Sequence, residues 1–311
     1  MILVMIRMLQ AVVLKLPSRA AHAFGKSLGL LGFHVVRFRR RHVETNIATA
    51  FGLDRRDPRV RSIARANFIH YGLLVVEILR LPRIIAGDLD GEVTFRGLEH
   101  LDAARAAGRG VLVLTAHLGN YDQLAVAVAR TGYPVSLISK KLRSAQVERF
   151  WMKQRAAAGL RIFTRHDSPR GILRALKENQ LLGVILDQHA HRPNVIVEFF
   201  GRPAATMISL ASLARSTGAA VVPVFTHRRD DGTHVVEALP PVPFEQRASR
   251  EETLRVNTQR YTRLIEDAIR KHPEQWTWIH RRWKVRGPGG GWQVAGDGVP
   301  ERGPGDAQSS G

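Results

Sequence analysis

The chain has no cysteine among its 311 residues, which excludes disulfide bonds, thiolate metal sites and a cysteine nucleophile. The G-x-S-x-G nucleophile elbow, the Walker A loop and a G-x-G-x-x-G turn between strand and helix are also missing. His189 and His191 are spaced i, i+2 and lack a convincing third ligand, so we expect no metal site. No cofactor is expected either.

Acidic residues are few, since Asp and Glu number 27 against 47 Lys and Arg, and the formal net charge is +20. An excess of this size implies an anionic partner, which can be nucleic acid, anionic lipid or an acidic carrier protein. Aromatic residues are sparse at 7%, and no zinc-finger, RNP or basic-zipper pattern is present. The charge alone therefore does not indicate binding to nucleic acid.

Long uninterrupted apolar runs are also lacking. Residues 1–16 are apolar but contain Arg7, Gln10 and Lys15, which fall within an arc of about 140° on a helical wheel. This pattern is typical of a helix lying in a membrane interface rather than crossing it. A signal peptide is the competing interpretation, but residues 17–19 offer no clean cleavage site.

A second apolar stretch, residues 20–38, leads into a basic cluster that includes Arg39, Arg40 and Arg41. Such a cluster would meet anionic headgroups, and the alternative is a buried helix with a solvated charged end. Residues 59–81 repeat apolar side chains at helical intervals, and we expect Pro82 to end that helix. Residues 1–90 are thus predicted to form a helical, membrane-associating region.

From residue 91 the pattern changes to strands that alternate with helices, which predicts an α/β domain over residues 91–286 with a mostly parallel central sheet flanked by helices. Residues 287–311 are rich in Gly and Pro and are predicted to be disordered. The predicted strands are 111–115, 135–138, 183–186, 195–199, 220–225 and 234–239. The predicted helices are 123–130, 145–158, 169–178, 208–217 and 251–271.

The most informative stretch is V-L-V-L-T-A-H-L-G-N-Y-D, residues 111–122. A short buried strand ends in a turn that contains His117 and opens a helix, which is where open α/β sheets place their chemistry. His117 and Asp122 can pair only if the histidine lies in the turn and the aspartate in the first helical turn. A carboxylate on one ring nitrogen would make the other a general base, whereas the alternative is a histidine that packs at a strand end.

Four stretches together resemble the bacterial lipid A biosynthesis acyltransferases of the lysophospholipid acyltransferase superfamily, and the related phosphatidylinositol mannoside acyltransferases. These stretches are A-H-L-G-N-Y-D (116–122), D-Q-H (187–189), E-F-F-G-R-P-A-A-T (198–206) with A-x-x-T-G-A-A-V-V-P-V-F (214–225), and P-E-Q-W-T-W-I-H-R-R-W-K (273–284). One departure concerns Asp122, where the lipid A branch usually has Glu and the rest of the superfamily Asp. That difference leaves the identity of the acceptor open.

The resemblance implies that His117 deprotonates an acceptor hydroxyl, which attacks an acyl thioester, and that Asp122 orients the imidazole. No covalent intermediate is needed. The oxyanion or substrate would be bound near Gly119 and Asn120 and by Arg155, which can instead be a surface charge.

Asp187 and Gln188 end a predicted strand, so they are expected at the same sheet edge as His117. Glu198 and Arg202 match segments that line the acceptor site in the family, although Glu198 can also be a strand residue facing water.

We therefore expect an acyltransferase of lipid A, or lipopolysaccharide, biosynthesis at the cytoplasmic face of the cell inner membrane. The expected partners are an acyl carrier protein or acyl-CoA donor, a glycolipid acceptor and an anionic membrane surface, but no nucleic acid. The alternatives are a basic protein that binds nucleic acid or another polyanion, and a soluble thioester hydrolase. An acyl slot would begin near the imidazole, and the candidate wall residues are Leu118, Tyr121, Leu124, Val126 and Val128.

Overall fold

The structure is a computed structural model. It describes residues 2–87, 89, 91–139, 142, 144–164, 169–190, 194–286 and 292–294.

Helices make up the N-terminal part of the chain. They are α1 (Ile2–Lys15), α2 (Ser18–Leu31) with a π-turn at Gly32–Val36, α3 (Arg40–Phe51) and α4 (Pro58–Ile85). The backbones of α2 and α4 are in contact, since a Cβ atom on Gly72 would overlap the carbonyl oxygen of Gly25. The prediction that Pro82 ends α4 is wrong, since the helix continues through the proline to Ile85. A proline near the C-terminal end of a helix costs little stability, because it removes only one backbone hydrogen bond of the last turn.

The strands that follow are β1 (Val93–Arg96), β2 (Val111–Thr115), β3 (Val135–Ser139), β4 (Arg161–Thr164), β5 (Leu181–Ile185), β6 (Asn194–Phe199), β7 (Arg202–Met207), β8 (Ala220–Arg228) and β9 (His234–Ala238). Seven of them form one sheet in the order β1-β9-β8-β2-β5-β3-β4. Its pairs are parallel except for β8 with β9. The predicted α/β class with a mostly parallel sheet is confirmed.

Strands β1, β4 and β7 have no counterpart in the sequence predictions. Strands β1 and β4 have only four residues each and lie at the two edges of the sheet. Except for Phe163, their residues are exposed or half-buried, so their sequences carry a weak apolar signal. Strand β7 instead forms an antiparallel hairpin with β6, separate from the main sheet.

Strand β2 is buried along its whole length, because both of its faces are covered. Leu112 and Leu114 pack into one hydrophobic cluster, while Val111 and Val113 pack into the cluster on the other face. Helices on both sides of the sheet supply these clusters, as expected for a parallel sheet. The clusters contain residues of α5 (Leu98–Ala106), α6 (Tyr121–Arg130), α8 (Pro169–Lys177), α9 (Ser209–Thr217) and α10 (Arg250–Lys271). Helix α7 (Ala145–Ala157) lies between β3 and β4 in the chain.

A single 3₁₀ turn, Pro273–Gln275, follows α10 and leads into β10 (Lys284–Arg286). Strand β10 pairs with β11 (Trp292–Val294) in an antiparallel register. Residues 292–294 of the stretch predicted to be disordered thus have a place in a strand pair. The remaining residues of that tail lie outside the described part of the chain.

Apolar side chains are exposed along one side of α1. They are Val4, Met5, Met8, Leu9 and Val12. On its other side, the Gln10 amide donates a hydrogen bond to the carbonyl of Leu79 in α4, which fixes the helix to the rest of the protein. Within the described residues, no helix combines the length and apolar character needed to cross a bilayer.

Candidate active site

His117 and Asp187 meet at the carboxyl edge of the sheet. His117 follows β2 and Asp187 follows β5, and these two strands are parallel neighbours. The imidazole Nδ1 lies 2.7 Å from one carboxylate oxygen of Asp187, and the backbone N–H of His117 donates to the other at 2.7 Å. Asp187 is buried, whereas the His117 side chain is 18% exposed. One carboxylate thus fixes both the backbone and the ring of His117, and the ring stays partly exposed.

The segment after α10 closes over this turn. Trp276 pairs with Leu118 as an isolated antiparallel bridge, and its indole N–H donates to Asp187 at 2.7 Å. Thr277 donates two hydrogen bonds to the His117 carbonyl, from its backbone N–H at 3.1 Å and its hydroxyl at 3.0 Å. The P-E-Q-W-T-W segment is therefore part of the site, because its hydrogen bonds hold both His117 and Asp187.

The tautomer of His117 follows from these partners. A carboxylate only accepts hydrogen bonds, so Nδ1 must carry the proton that lies between it and Asp187. In the neutral ring, Nε2 is then an acceptor, and the side-chain amide of Gln188 donates to it at 3.2 Å. The same amide lies 2.8 Å from Nε2 of His280. This is the tautomer that a general base acting through Nε2 requires.

Asp187 stays ionised although it is buried. Burial raises the pKa of its carboxyl, but the charge of His117 and the hydrogen bonds from His117 and Trp276 lower it further, and the net pKa is about 2. A permanent negative charge beside Nδ1 favours the imidazolium that forms when Nε2 takes up a proton.

Asp122 forms its hydrogen bonds with Arg155 and Trp151 and not with His117. Its Oδ1 accepts hydrogen bonds from Arg155 Nε at 2.9 Å and Nη2 at 2.7 Å, and from the Trp151 indole at 3.0 Å. Arg155 also donates to the Ser139 hydroxyl at 3.0 Å. Within the described residues, the expected hydrogen bond between His117 and Asp122 is not formed, because Asp187 occupies Nδ1. Asp122 instead fixes α7 against the first turn of α6.

The sequence matches the family described as bacterial lipid A biosynthesis acyltransferase over residues 2–285. The chain belongs to this family. It is therefore an acyltransferase enzyme. The alternative hypothesis, a basic protein that only binds nucleic acid or another polyanion, is not needed to explain the net charge of an enzyme.

Individual relatives agree with the family assignment. The chain is 27% identical to a phosphatidylinositol mannoside acyltransferase of Mycobacterium tuberculosis (strain ATCC 25618 / H37Rv) over 228 residues, which are 70% of this chain and 69% of the relative. It is 25% identical to the lipid A biosynthesis lauroyltransferase of Escherichia coli (strain K12) over 293 residues, 89% of each chain. It is 26% identical to the lipid A biosynthesis myristoyltransferase of the same strain over 200 residues, 63% of this chain and 60% of that one.

In this acyltransferase the other expected site residues have different surroundings. The Gly119 N–H donates to the carbonyl of Gln275 at 3.0 Å, so it is occupied by the closing segment. Asn120 is fully buried as the N-cap of α6, where its Oδ1 accepts from the backbone of Gln123 at 2.9 Å. Arg155 is occupied by Asp122 and Ser139. The backbone N–H of Gly119 is thus not a free donor for an oxyanion, and three of the five N–H groups of Arg155 are already used.

Glu198 and Arg202 lie in the β6–β7 hairpin, where Phe199 is paired with Arg202. Glu198 is exposed, and its backbone forms both of its hydrogen bonds with the side chain of Gln259 in α10. No described contact brings either side chain to His117. The alternative interpretation of Glu198, as a strand residue facing water, agrees with this placement.

The candidate acyl-slot residues are also separated by the fold. Leu124, Val126 and Val128 pack in the core between α6 and the sheet, and Leu118 packs in the cluster on the opposite face. Of these five candidates, Tyr121 has a described contact with the His117 ring, edge to face with 4.9 Å between ring centroids. The position of an acyl slot stays a prediction.

A buried ionic network supports the helix that carries Asp122. Glu77 of α4 forms an ion pair with Arg228 of β8 and accepts a hydrogen bond from the Asn120 amide at 3.0 Å. Burial raises the pKa of Glu77, but Arg228 and His234 lower it more, so the carboxyl stays ionised. The network ties the N-terminal helices to the N-cap of α6, one turn away from His117.

The sequence carried a signal for some of these groups only. Asp187, Gln188 and the P-E-Q-W-T-W segment stand out as motifs, but the pairing of Asp187 with His117 depends on which strands are neighbours. Glu77 lies in an ordinary amphipathic helix and has no local signal. Among the described residues, no three His, Asp or Glu side chains are grouped so that they could bind a metal ion.

Proposed function

We propose that the enzyme transfers a fatty acyl chain from an acyl thioester, borne by acyl carrier protein or coenzyme A, to a hydroxyl of a membrane glycolipid such as a lipid A precursor. The observation that carries the proposal is the His117 imidazole, held by Asp187 at Nδ1, which leaves Nε2 as the acceptor nitrogen of a side chain that is 18% exposed. Family membership and the glycolipid-modifying relatives support the reaction class.

In this mechanism Nε2 of His117 takes the proton of the acceptor hydroxyl as its oxygen attacks the thioester carbonyl. The tetrahedral intermediate then expels the thiolate, which receives the proton from Nε2 and leaves as a thiol. An ester bond forms and a thioester bond breaks, with no covalent enzyme intermediate. Asp187 stabilises the transient imidazolium through Nδ1.

The oxyanion needs a donor beside Nε2, and we assign this role to the amide of Gln188. It lies 3.2 Å from Nε2, and it loses that acceptor when Nε2 becomes protonated. Asp122 and Arg155 act as a positioning pair that fixes α7 on α6. Neither is assigned a contact with the reacting atoms.

The test is an assay of the purified full chain with labelled acyl carrier protein or acyl-CoA and a panel of membrane lipids. We expect label in a glycolipid product, and loss of transfer in His117→Ala at a temperature where circular dichroism shows that the variant is folded. Release of free fatty acid with every lipid would instead identify a thioester hydrolase. Transfer by His117→Ala at the wild-type rate would overturn the assignment of the base.

We further propose that the enzyme binds the cytoplasmic face of the inner membrane through α1. Five apolar side chains on one side of this helix are exposed, and burying each one in lipid would contribute about 1.5–3 kcal/mol at most. The net charge of +20 adds attraction to anionic lipid and to an acidic carrier protein.

Replacing exposed apolar residues of α1 tests membrane attachment better than removing residues 1–38, because α2 packs closely on α4. The variant Met5→Gln/Met8→Gln/Val12→Gln should no longer float with anionic vesicles at high salt. Ile196→Gln is the matched control, since Ile196 is exposed on the β6–β7 hairpin. Equal flotation of both variants would place the membrane contact elsewhere.

A further inference from the structure

A cavity of about 710 Å³ lies between α1, α7 and the carboxyl end of α4. Its volume is in the range of small-molecule sites in proteins. Neither His117 nor Asp187 is in its wall, so it is separate from the candidate active site. It lies on the inner side of α1, whose other side carries the exposed apolar residues.

Three cations line this cavity: Arg7 of α1, and Arg149 and Lys153 of α7. No acidic residue is among the side chains that line it, and none of the three cations forms an ion pair within the described residues. Cations brought together without a carboxylate repel one another, and they create a positive potential that an anion would neutralise.

The wall also contains a polar side chain without a partner. Gln154 is 8% exposed, and neither its amide nitrogen nor its amide oxygen has a hydrogen-bond partner among the described residues. Buried amides are nearly always satisfied, so an unsatisfied pair at a cavity wall points to a ligand that supplies the missing donor and acceptor.

The rest of the wall is largely apolar, with Leu3, Ile85 and Phe150 among its residues. A site that combines apolar walls, cations and an amide suits an amphiphile with a phosphate and adjoining ester or hydroxyl groups. We propose that this cavity binds the phosphate-bearing headgroup of an anionic lipid, at a site distinct from the catalytic one. The position next to α1 allows the lipid to enter from the membrane surface.

The proposal is tested by titrating the full chain, by calorimetry, with dihexanoyl phosphatidylglycerol below its micelle concentration. Dihexanoyl phosphatidylcholine and inorganic phosphate are the comparison ligands. We expect phosphatidylglycerol to bind more tightly than either, because only it combines a net anionic phosphate with acyl chains. Equal binding of phosphatidylcholine would overturn the role of the cations, and equal binding of inorganic phosphate would overturn the lipid.

Arg149→Gln/Lys153→Gln should weaken the binding of phosphatidylglycerol about tenfold or more, since two charge-assisted hydrogen bonds are lost. Lys15→Gln is the matched control, because Lys15 is an exposed cation of α1 outside the cavity. Ala157→Phe fills the cavity without changing its charge and should abolish binding of both lipids. Unchanged binding in the charge variant and in Ala157→Phe would overturn the site.

Gln154→Leu gives a further readout that a purely structural residue would not show. Removing two unsatisfied polar atoms should raise the melting temperature, while phosphatidylglycerol binding weakens. A variant that is stabilised but binds as well as the wild type would overturn the role of Gln154.

The variant Arg149→Gln/Lys153→Gln also separates a lipid site from a protein-docking face. If this variant loses binding of acyl carrier protein but keeps binding of phosphatidylglycerol, the cations form a protein-docking face instead. Binding is measured without turnover, so these results are independent of the proposed acyl transfer.

Discussion

Asp187 and Asp122 are two buried carboxylates that are hydrogen-bonded to chemically different partners. Both are 2% exposed, and each accepts a hydrogen bond from a tryptophan indole. Asp187 faces an imidazole that can gain and lose a proton, whereas Asp122 faces the permanently charged guanidinium of Arg155. A carboxylate changes the basicity of a neighbour only if that neighbour titrates, so the two residues are suited to different tasks.

The largest expected effect separates these tasks by activity. His117→Ala should lower the turnover number by about 10²–10⁴, the usual contribution of a general base. Asp187→Asn should approach that loss, because an amide cannot stabilise the imidazolium. Asp122→Asn should retain most activity wherever the protein stays folded. Steady-state kinetics on the three variants decide the comparison, and a larger loss in Asp122→Asn than in Asp187→Asn would reverse the roles of the two carboxylates.

The second effect is on stability and concerns the ion pair between Asp122 and Arg155. Arg155→Met leaves a buried carboxylate unpaired, which should lower the free energy of unfolding by about 3–5 kcal/mol. The double variant Arg155→Met/Asp122→Leu should recover much of this loss, because no charge is then left buried. Urea denaturation measures both. If the double variant is as unstable as the single one, packing rather than charge explains the loss.

Whether the sequence could predict this contrast depends on how far apart the contacting residues lie in the sequence. The α/β class, the turn with His117 and the positions of the central strands follow from local apolar patterns and were predicted correctly, although most strands differ from the prediction by one to three residues at an end. The choice between Asp122 and Asp187 could not be, because Asp122 is near in sequence and Asp187 is near only once β2 and β5 become neighbours. The orientation of Arg155 depends likewise on how α7 packs on α6. Local spacing predicts candidate residues, and sheet order decides which of them pair.

The third effect is a pH dependence on the Asp187 side. The pKa of Asp187 falls from its ordinary 3.8 to about 2 on folding, so the unfolded chain binds its proton first as the pH is lowered. The resulting stabilisation, roughly 2 kcal/mol, is present above pH 3.8 and is lost as the pH falls to about 2. Unfolding free energies measured between neutral and acidic pH should therefore fall less steeply in Asp187→Asn than in the wild type. Parallel profiles would show that Asp187 is not held ionised by folding.

The smallest effect on activity is expected at Trp276, which closes the site over Asp187. Trp276→Phe removes one hydrogen bond to a charged group, usually worth about 1.5–3 kcal/mol, while keeping most of the aromatic packing. Trp283→Phe is the matched control, because Trp283 is equally buried and its indole donates to the backbone carbonyl of Phe199. Both variants should lose stability.

Only Trp276→Phe should also change catalysis. Without the indole, Asp187 keeps His117 as its main partner but is held less firmly, so its pKa should rise and the turnover number should drop by about tenfold or less. The Michaelis constant for the acyl donor should stay the same, because the indole is assigned no contact with substrate. The decisive measurement is the ratio of turnover numbers between the two tryptophan variants at equal fractions folded. A ratio near one would mean that the closing segment only completes the core, and that Asp187 is held in place by His117 and the sheet alone.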